Sequence, residues 1–347
     1  MESTDQINQV NDNNNNPTLH GYKVVCAKLG LAMCVYFICR LLAGWFSLLL
    51  VNATGFMNAG MQSLINTLIV FILVYIVPLV FTAFLFNSFK SYKGNYRELY
   101  KKPNRLARAL GTFPATYGLG QGVFLLTLLA SYLLTRYLGG HTYLEDLLRP
   151  TVIEAPTNLV SVLFMVFLLV VIAPLFEEFL CRGIMYDALK PYGTGMAILI
   201  SAFLFGLMHG SLYMLFYTIA YGLALGYIRY ATGSLFIVTI LHAIVNSIAA
   251  GALLLTYLTD VTNEENKMIN TIQTIYLLSV LILIVVGVVV FLSKIPAIRK
   301  YKIENAWTQI GPWKKTAWFF ASIPVIIMMV LAFNEITNHW LIDLVSR

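Results

Sequence analysis

Residues 158–182 read NLVSVLFMVFLLVVIAPLFEEFLCR, a long apolar run that ends in two glutamates, a cysteine and an arginine. An α-helix needs about 20 mostly apolar residues to cross the hydrocarbon core of a membrane, and this run is long enough. Charged side chains within such a helix are costly, and they usually face a cavity where they pair with one another. The stretch therefore predicts a membrane-spanning helix whose polar end has a chemical role.

The whole chain has the composition of a membrane protein. Its 347 residues are 59% hydrophobic and only 11% charged, whereas soluble domains carry about 25% charged residues. Apolar stretches recur along the chain, and two of them are short and nearly continuous, so the sequence predicts an all-α, polytopic transmembrane helical bundle with about eight or nine spans. The stretches are 24–51, 62–87, 117–138, 158–182, 194–210, 212–230, 234–257, 270–293 and 316–336.

The sequence also predicts a tail, a basic loop and two terminal groups of spans. Residues 1–23 are polar and rich in asparagine, which predicts a disordered tail. The stretch 24–138 is predicted to form amino-terminal transmembrane helices with a basic loop at 89–116. The stretch 270–336 is predicted to form carboxyl-terminal transmembrane helices. The net charge is +7, and loop 89–116 is rich in lysine and arginine. Basic loops of membrane proteins usually lie on the cytoplasmic side, which predicts a cytoplasmic amino terminus. The predicted partner is the lipid bilayer and not nucleic acid.

Three predicted spans hold most of the strongly polar side chains. These are Glu177, Glu178 and Arg182 on the fourth span, His209 on the fifth, and His242 and Asn246 on the seventh. Glu178 and Arg182 lie four residues apart, so they share a helix face and are predicted to form an ion pair. Glu177 is rotated by about 100° from Glu178 and points elsewhere.

The depth of these groups follows from the turn between the fourth and fifth spans. The sequence KPYGTG places that turn near residues 191–195. Glu177 lies about as far before the turn as His209 lies after it, so an antiparallel hairpin brings the two to equal depth. Arg40 is interpreted as snorkelling to the interface or paired within the bundle, and no chemistry is assigned to it.

Three motifs in this region resemble the CAAX protease and bacteriocin-processing family, also called the Abi family, which includes the type II CAAX prenyl endopeptidase. The motifs are EExxxR, FxxxH and HxxxN on successive membrane helices, and they stand here at residues 177–182, 205–209 and 242–246. The resemblance covers about residues 158–250, so 158–257 is interpreted as the protease core. The amino- and carboxyl-terminal spans lie outside it.

The resemblance implies an intramembrane, metal-independent glutamic endopeptidase that needs no cofactor. It implies Glu177 as general base and His209 as the group that helps to hold and activate the water. It implies His242 and Asn246 as the oxyanion-stabilising pair, and Glu178 and Arg182 as groups that fix the geometry of the site. Phe205 is interpreted as packing that positions His209. These residue types suit amide hydrolysis, which needs a base for water and donors for the developing oxyanion. The implied substrate is a membrane-associated peptide or protein, and the implied location is the bacterial plasma membrane.

Three alternatives stay open at this point. Two histidines with one or two glutamates could bind Zn²⁺, although the sequence contains no HExxH motif. A proton-coupled transporter could relay protons through the same cluster, but it would spread polar residues over more spans. A non-catalytic scaffold or immunity protein could keep the motifs and act by binding.

Overall fold

The computed structural model describes residues 17–52, 59–88, 99–138, 159–262, 267–300 and 310–337. Within these ranges the regular structure is helical and contains no strand. Most of the predicted tail, residues 1–16, and residues 89–98 of the predicted basic loop lie outside the described residues. The first helix begins at Leu19, a few residues before the predicted end of the tail.

Four helices precede the polar region. They are α1 (Leu19–Asn52), α2 (Ala59–Val70, continued by Phe71–Ile76 and Val77–Leu85), α3 (Leu106–Leu110) and α4 (Phe113–Leu138). The polar region is carried by α5, which runs through Leu159–Phe167, Leu168–Ile172, Ala173–Glu178, Phe179–Met185 and Tyr186–Leu189. A 3₁₀ turn at Lys190–Tyr192 follows it, in the position where the sequence predicts the hairpin.

Six further helices complete the described chain. They are α6 (Thr194–Met208), α7 (Leu212–Thr232), α8 (Leu235–Thr262), α9 (Lys267–Lys300), α10 (Pro312–Phe320) and α11 (Ile323–Ile336). Helices α6 and α7 pack side by side, α9 packs along α4, and α11 packs along α1. The buried core lies where α1, α5, α6 and α8 meet.

Six helices of the described chain are long and apolar enough to cross a membrane, and the pair α10–α11, bent by 70°, makes seven if it counts as one span. The all-helical prediction is confirmed, but the predicted count of eight or nine spans is not. Helix α6 has only 15 residues, about 22 Å of rise against a hydrocarbon core of about 30 Å. Helix α7 carries five tyrosines and Arg229, which lower its hydropathy.

Helices α2 and α5 both widen into a π-helical segment shortly before a proline. The segment Phe71–Ile76 precedes Pro78 in α2, and Leu168–Ile172 precedes Pro174 in α5. Proline has no backbone N–H and crowds the preceding turn, so a wider turn relieves the clash and leaves carbonyls that need another donor. The rings of Phe71 and Tyr75 meet Phe176 edge to face, each at 6.1 Å, which joins these two irregular stretches.

Glycines permit two close helix crossings outside the polar region. A Cβ on Gly118 of α4 would overlap the backbone of Gly287 on α9. A Cβ on Gly30 of α1 would overlap the backbone of α11 at Pro324. Small residues at such crossings let membrane helices approach to backbone contact. The second crossing brings α11 into backbone contact with α1.

Candidate active site

Glu178 is the centre of a buried charged network. Its Oε1 accepts hydrogen bonds from Arg182 Nη1 and from His242 Nδ1, each at 2.9 Å. The side chains of Glu178 and Arg182 are both 0% exposed. The predicted ion pair therefore forms, and the same carboxylate also fixes the ring of His242. This second contact is absent from the sequence-based prediction, because it joins residues 64 positions apart.

Arg182 is held on several sides by neighbouring helices. Its Nη2 donates to the carbonyl of Gly222 on α7 at 3.1 Å, and its guanidinium lies over the Phe205 ring with Cζ 4.3 Å from the centroid. The backbone carbonyl of Arg182 accepts from Arg229 Nε at 3.3 Å. A buried guanidinium needs such partners because an unpaired buried charge is strongly destabilising. Arg182 thus ties α5, α6 and α7 together behind Glu178.

His242 connects the two glutamates. Because its Nδ1–H is directed at Glu178, the other ring nitrogen, Nε2, is turned to Glu177 and lies 3.8 Å from its Oε2. That distance is too long for a direct hydrogen bond but short enough for one water molecule to contact both groups. Glu177 keeps 15% of its side chain exposed while Glu178 keeps none. The two neighbouring carboxylates consequently differ, with one locked in the network and the other open to the cavity.

His209 lies at the end of α6, where it caps the helix with its own ring. Its Nδ1 is 2.9 Å from the carbonyl oxygen of Phe205. A carbonyl only accepts, so Nδ1 carries the hydrogen, and Nε2 is the nitrogen left for a ligand. The Phe205 ring contacts both histidines edge to face, at 4.9 Å from His209 and 5.6 Å from His242. Phe205 therefore packs against both histidine rings.

Asn246 supplies a hydrogen bond that proline removes from α5. In the widened turn, Ala173 N–H bonds to the carbonyl of Leu168, five residues back. The next bond in that register would join residue 174 to Leu169, but Pro174 has no N–H to give. Asn246 Nδ2 donates to the Leu169 carbonyl instead, at 2.8 Å. One of the two amide hydrogens of Asn246 is therefore occupied, and the other remains.

The four residues predicted as catalytic converge on one cavity of about 760 Å³. Glu177 comes from α5, His209 from the end of α6, and His242 and Asn246 from α8, and all four line it. Helices α1, α2, α4, α7, α9 and α11 contribute the rest of the wall. Beside the cavity, the sulfurs of Cys181 on α5 and Met208 on α6 lie 3.7 Å apart. Residues far apart in sequence thus share one space within the bundle.

Two charged residues of this cavity have no role in the sequence-based prediction. Arg40 of α1 and Glu335 of α11 line the wall and form an ion pair of 2.8 Å between Nη2 and Oε1. Each stands in an otherwise mostly apolar helix. A charge of each sign in two separate spans is a signal for pairing within the bundle. Of the two interpretations of Arg40, snorkelling and pairing, pairing is the one observed.

The histidines and glutamates of this cavity bear on the alternative of a zinc site. Across the described ranges, no group of three or more histidine, cysteine, aspartate or glutamate side chains is arranged to hold a metal ion. The four cysteines are buried and free. The two histidines instead use Nδ1 for a carboxylate and for a carbonyl.

The comparison with family models identifies the segment that holds this site. Residues 159–248 match the model described as type II CAAX prenyl endopeptidase Rce1-like. The segment is Rce1-like. The resemblance predicted from the three motifs is therefore confirmed, and every motif residue lies inside the matched range. A comparison with curated proteins and one with solved structures found no match.

The Rce1-like match sets the broad function. It indicates a membrane CAAX protease, a hydrolase whose substrates are associated with the lipid bilayer. Together with the long apolar helices, it makes the chain an integral membrane protein. The match begins at the start of α5 and ends within α8. The cavity walls from α1, α2, α4, α9 and α11 therefore come from outside the Rce1-like segment.

Proposed function

We propose that the protein is an intramembrane glutamic endopeptidase that hydrolyses a peptide bond in a membrane-associated peptide or protein. The observation that carries the proposal is the convergence of Glu177, His209, His242 and Asn246 on one cavity. The first side chain can accept a proton, and the other three can orient water or donate to an oxyanion. Groups of both kinds are needed for amide hydrolysis, and they act most strongly where bulk water is excluded.

In the first proposed step, water attacks the scissile carbonyl carbon while Glu177 takes its proton. His209 helps to hold and activate this water through Nε2, since its Nδ1–H is committed to the Phe205 carbonyl. The proton held by Glu177 then passes to the leaving amine as the carbon–nitrogen bond breaks. Glu177 suits this exchange better than Glu178, because Glu178 already accepts from Arg182 and His242.

The oxyanion is assigned to His242 and Asn246. Nε2 of His242 can donate only when its ring carries protons on both nitrogens, since Nδ1–H is held by Glu178. Asn246 contributes the amide hydrogen that the Leu169 carbonyl does not use. Both residues come from α8 and lie one helical turn apart, so they face the same part of the cavity.

The same proposal covers the substrate class and the orientation of the chain in the membrane. A prenylated CAAX peptide is the first substrate class to test, because the matched family is described by that activity. A bacterial plasma membrane and a cytoplasmic amino terminus remain predictions from the sequence. No observation among the described residues favours a transporter or a scaffold.

The proposal is tested by comparing peptide termini in cells that carry the native chain with those in cells that carry Glu177→Gln. Quantitative mass spectrometry of terminal peptides detects new ends at matched expression. New ends that appear only with the native chain support proteolysis and name the substrates. A native phenotype that persists in Glu177→Gln, with identical termini in both cells, would overturn the proposal.

A further inference from the structure

The end of α6 determines where His209 lies. The last four carbonyls of a helix have no partner within it and must find other donors. Three of them are satisfied by the turn itself. Phe205 O accepts from the His209 ring at 2.9 Å, Gly206 O from the His209 backbone at 3.2 Å, and Leu207 O from the Gly210 backbone at 3.0 Å. Only the Met208 carbonyl is left for donors from other helices.

The Met208 carbonyl accepts two hydrogen bonds from α1. Tyr36 Oη donates at 2.9 Å and Arg40 Nη1 at 3.0 Å. The remaining edge of the Arg40 guanidinium faces Glu335 of α11, with Nε and Nη2 at 2.9 and 2.8 Å from the same Oε1. The side chains of the pair are largely buried, at 28% and 12% exposed. One guanidinium thus joins α1, α6 and α11 at the residue before His209.

Gly210 shows how tightly this pair fits the turn. Its φ is +61°, a left-handed conformation that glycine adopts without strain. A Cβ at this position would lie 2.8 Å from Glu335 Cγ and 3.0 Å from Arg40 Nη2. The ion pair is therefore packed against the backbone on the far side of His209. Met208 and Gly210 flank the histidine: Arg40 donates to the Met208 carbonyl, and the Arg40–Glu335 pair lies against Gly210.

We infer that Arg40 and Glu335 are positioning residues for His209. Glu335 orients the guanidinium, Arg40 holds the Met208 carbonyl, and the fixed turn aims His209 Nε2 into the cavity shared with Glu177. The inference rests on the proposed function of that site. It also gives α1 and α11 a role, because these helices lie outside the Rce1-like segment and yet complete the turn on which its histidine depends.

The test uses the full chain in lipid bilayers and three substitutions. Arg40→Met removes the donors of this one side chain while keeping it unbranched, and leaves the Tyr36 hydrogen bond to the Met208 carbonyl in place. Arg40→Lys keeps one charged donor group, and Glu335→Gln removes the charge of the partner. The matched control is Cys34→Ala. Cys34 also joins α1 to α11, through the Pro324 carbonyl at 3.4 Å, but it lies away from the cavity.

The first readout is the ¹⁵N spectrum of histidine-labelled protein, with the His209 signals assigned by their loss in His209→Gln. The native chain is expected to show a protonated Nδ1 and a separate Nε2 signal. In Arg40→Met the ¹⁵N chemical shifts of Nδ1 and Nε2 are expected to move toward each other, because a frayed turn no longer fixes the hydrogen bond from Nδ1 to the Phe205 carbonyl. Arg40→Lys is expected to restore most of the separation, and Cys34→Ala to leave it native. An unchanged His209 spectrum in Arg40→Met would overturn the inference.

The second readout is steady-state cleavage of a fluorogenic peptide that ends in a farnesylated CAAX sequence. Misplacement of a catalytic group by about 1 Å can cost about 100-fold in rate. We expect Arg40→Met and Glu335→Gln to lower kcat by about 10- to 100-fold, with KM within about twofold and Cys34→Ala like the native chain. A raised KM with native kcat would instead assign Arg40 to substrate binding and contradict positioning.

The two readouts separate the inference from the proposed function. If the native chain and Glu177→Gln give the same cleavage, the proposed function fails, while the His209 spectrum still decides whether Arg40 positions the ring. If Glu177-dependent cleavage is present but Arg40→Met keeps native kcat, the positioning inference alone fails.

Discussion

The substitution Arg182→Met tests the buried network behind the cavity. It keeps an unbranched side chain but removes the guanidinium from Glu178, the Gly222 carbonyl and the Phe205 ring. The Glu178 carboxylate then stays fully buried with His242 as its remaining partner. Removing one member of a buried ion pair costs about 3–5 kcal/mol, because the other charge is left uncompensated.

That cost predicts a measurable loss of thermal stability. At about 2 °C per kcal/mol, the lower value for chains of about 150–250 residues, the expected decrease in Tm is about 6–10 °C. The assay is a thiol-reactive fluorescent dye, since the four cysteines are free and buried and become reactive on unfolding. Arg108→Met is the matched control, because Arg108 is exposed.

A double variant separates the effect of the uncompensated charge from the effect of lost packing. In the double variant Glu178→Gln with Arg182→Met, the uncompensated charge is gone, so more than half of the lost Tm should return. Activity should not return, because His242 has lost the carboxylate that orients it. A double variant that unfolds as early as the sum of the two single variants would refute the reasoning. A native Tm in Arg182→Met would refute it as well.

The remaining predictions concern helix contacts and metal. Gly118→Ala should cost about 1–3 kcal/mol through overlap with α9, whereas Gly122→Ala should unfold like the native chain in the dye assay. Asn246→Leu should destabilise by about 1–3 kcal/mol, since the Leu169 carbonyl loses its donor, and should also lower the cleavage rate measured with the fluorogenic peptide. Cleavage should survive dialysis against a chelator; a loss that zinc reverses would instead support a zinc site.

The sequence predicted the part of the site that depends on short spacing. The pairing of Glu178 with Arg182 follows from one helical turn, and the three motifs were sufficient to predict the family that residues 159–248 match. The hairpin near residue 191 was predicted from proline and glycine. Such signals are local, because both partners of each contact lie within a few residues or within one recognisable motif.

The sequence did not predict features that depend on how distant helices meet. The bond from His242 to Glu178 and the ion pair of Arg40 with Glu335 each join separate spans. The donation from Asn246 to Leu169 follows from a widened turn before Pro174, and a π-helical turn leaves no periodic signal in an apolar run. The span count failed for a related reason, since α6 is apolar but ends after 15 residues at His209.

The most direct test of the central claim measures cleavage by the purified chain in liposomes. The substrates are a farnesylated CAAX peptide and peptides that span the cleavage sites identified by the new termini in cells. Glu177→Gln is compared with the native chain, with Cys34→Ala as the control that leaves the cavity intact. A general base typically contributes about 10²–10⁴-fold to the rate, so Glu177→Gln should lose activity by that factor while keeping the native Tm. Cleavage that continues at the native rate in Glu177→Gln would contradict the account.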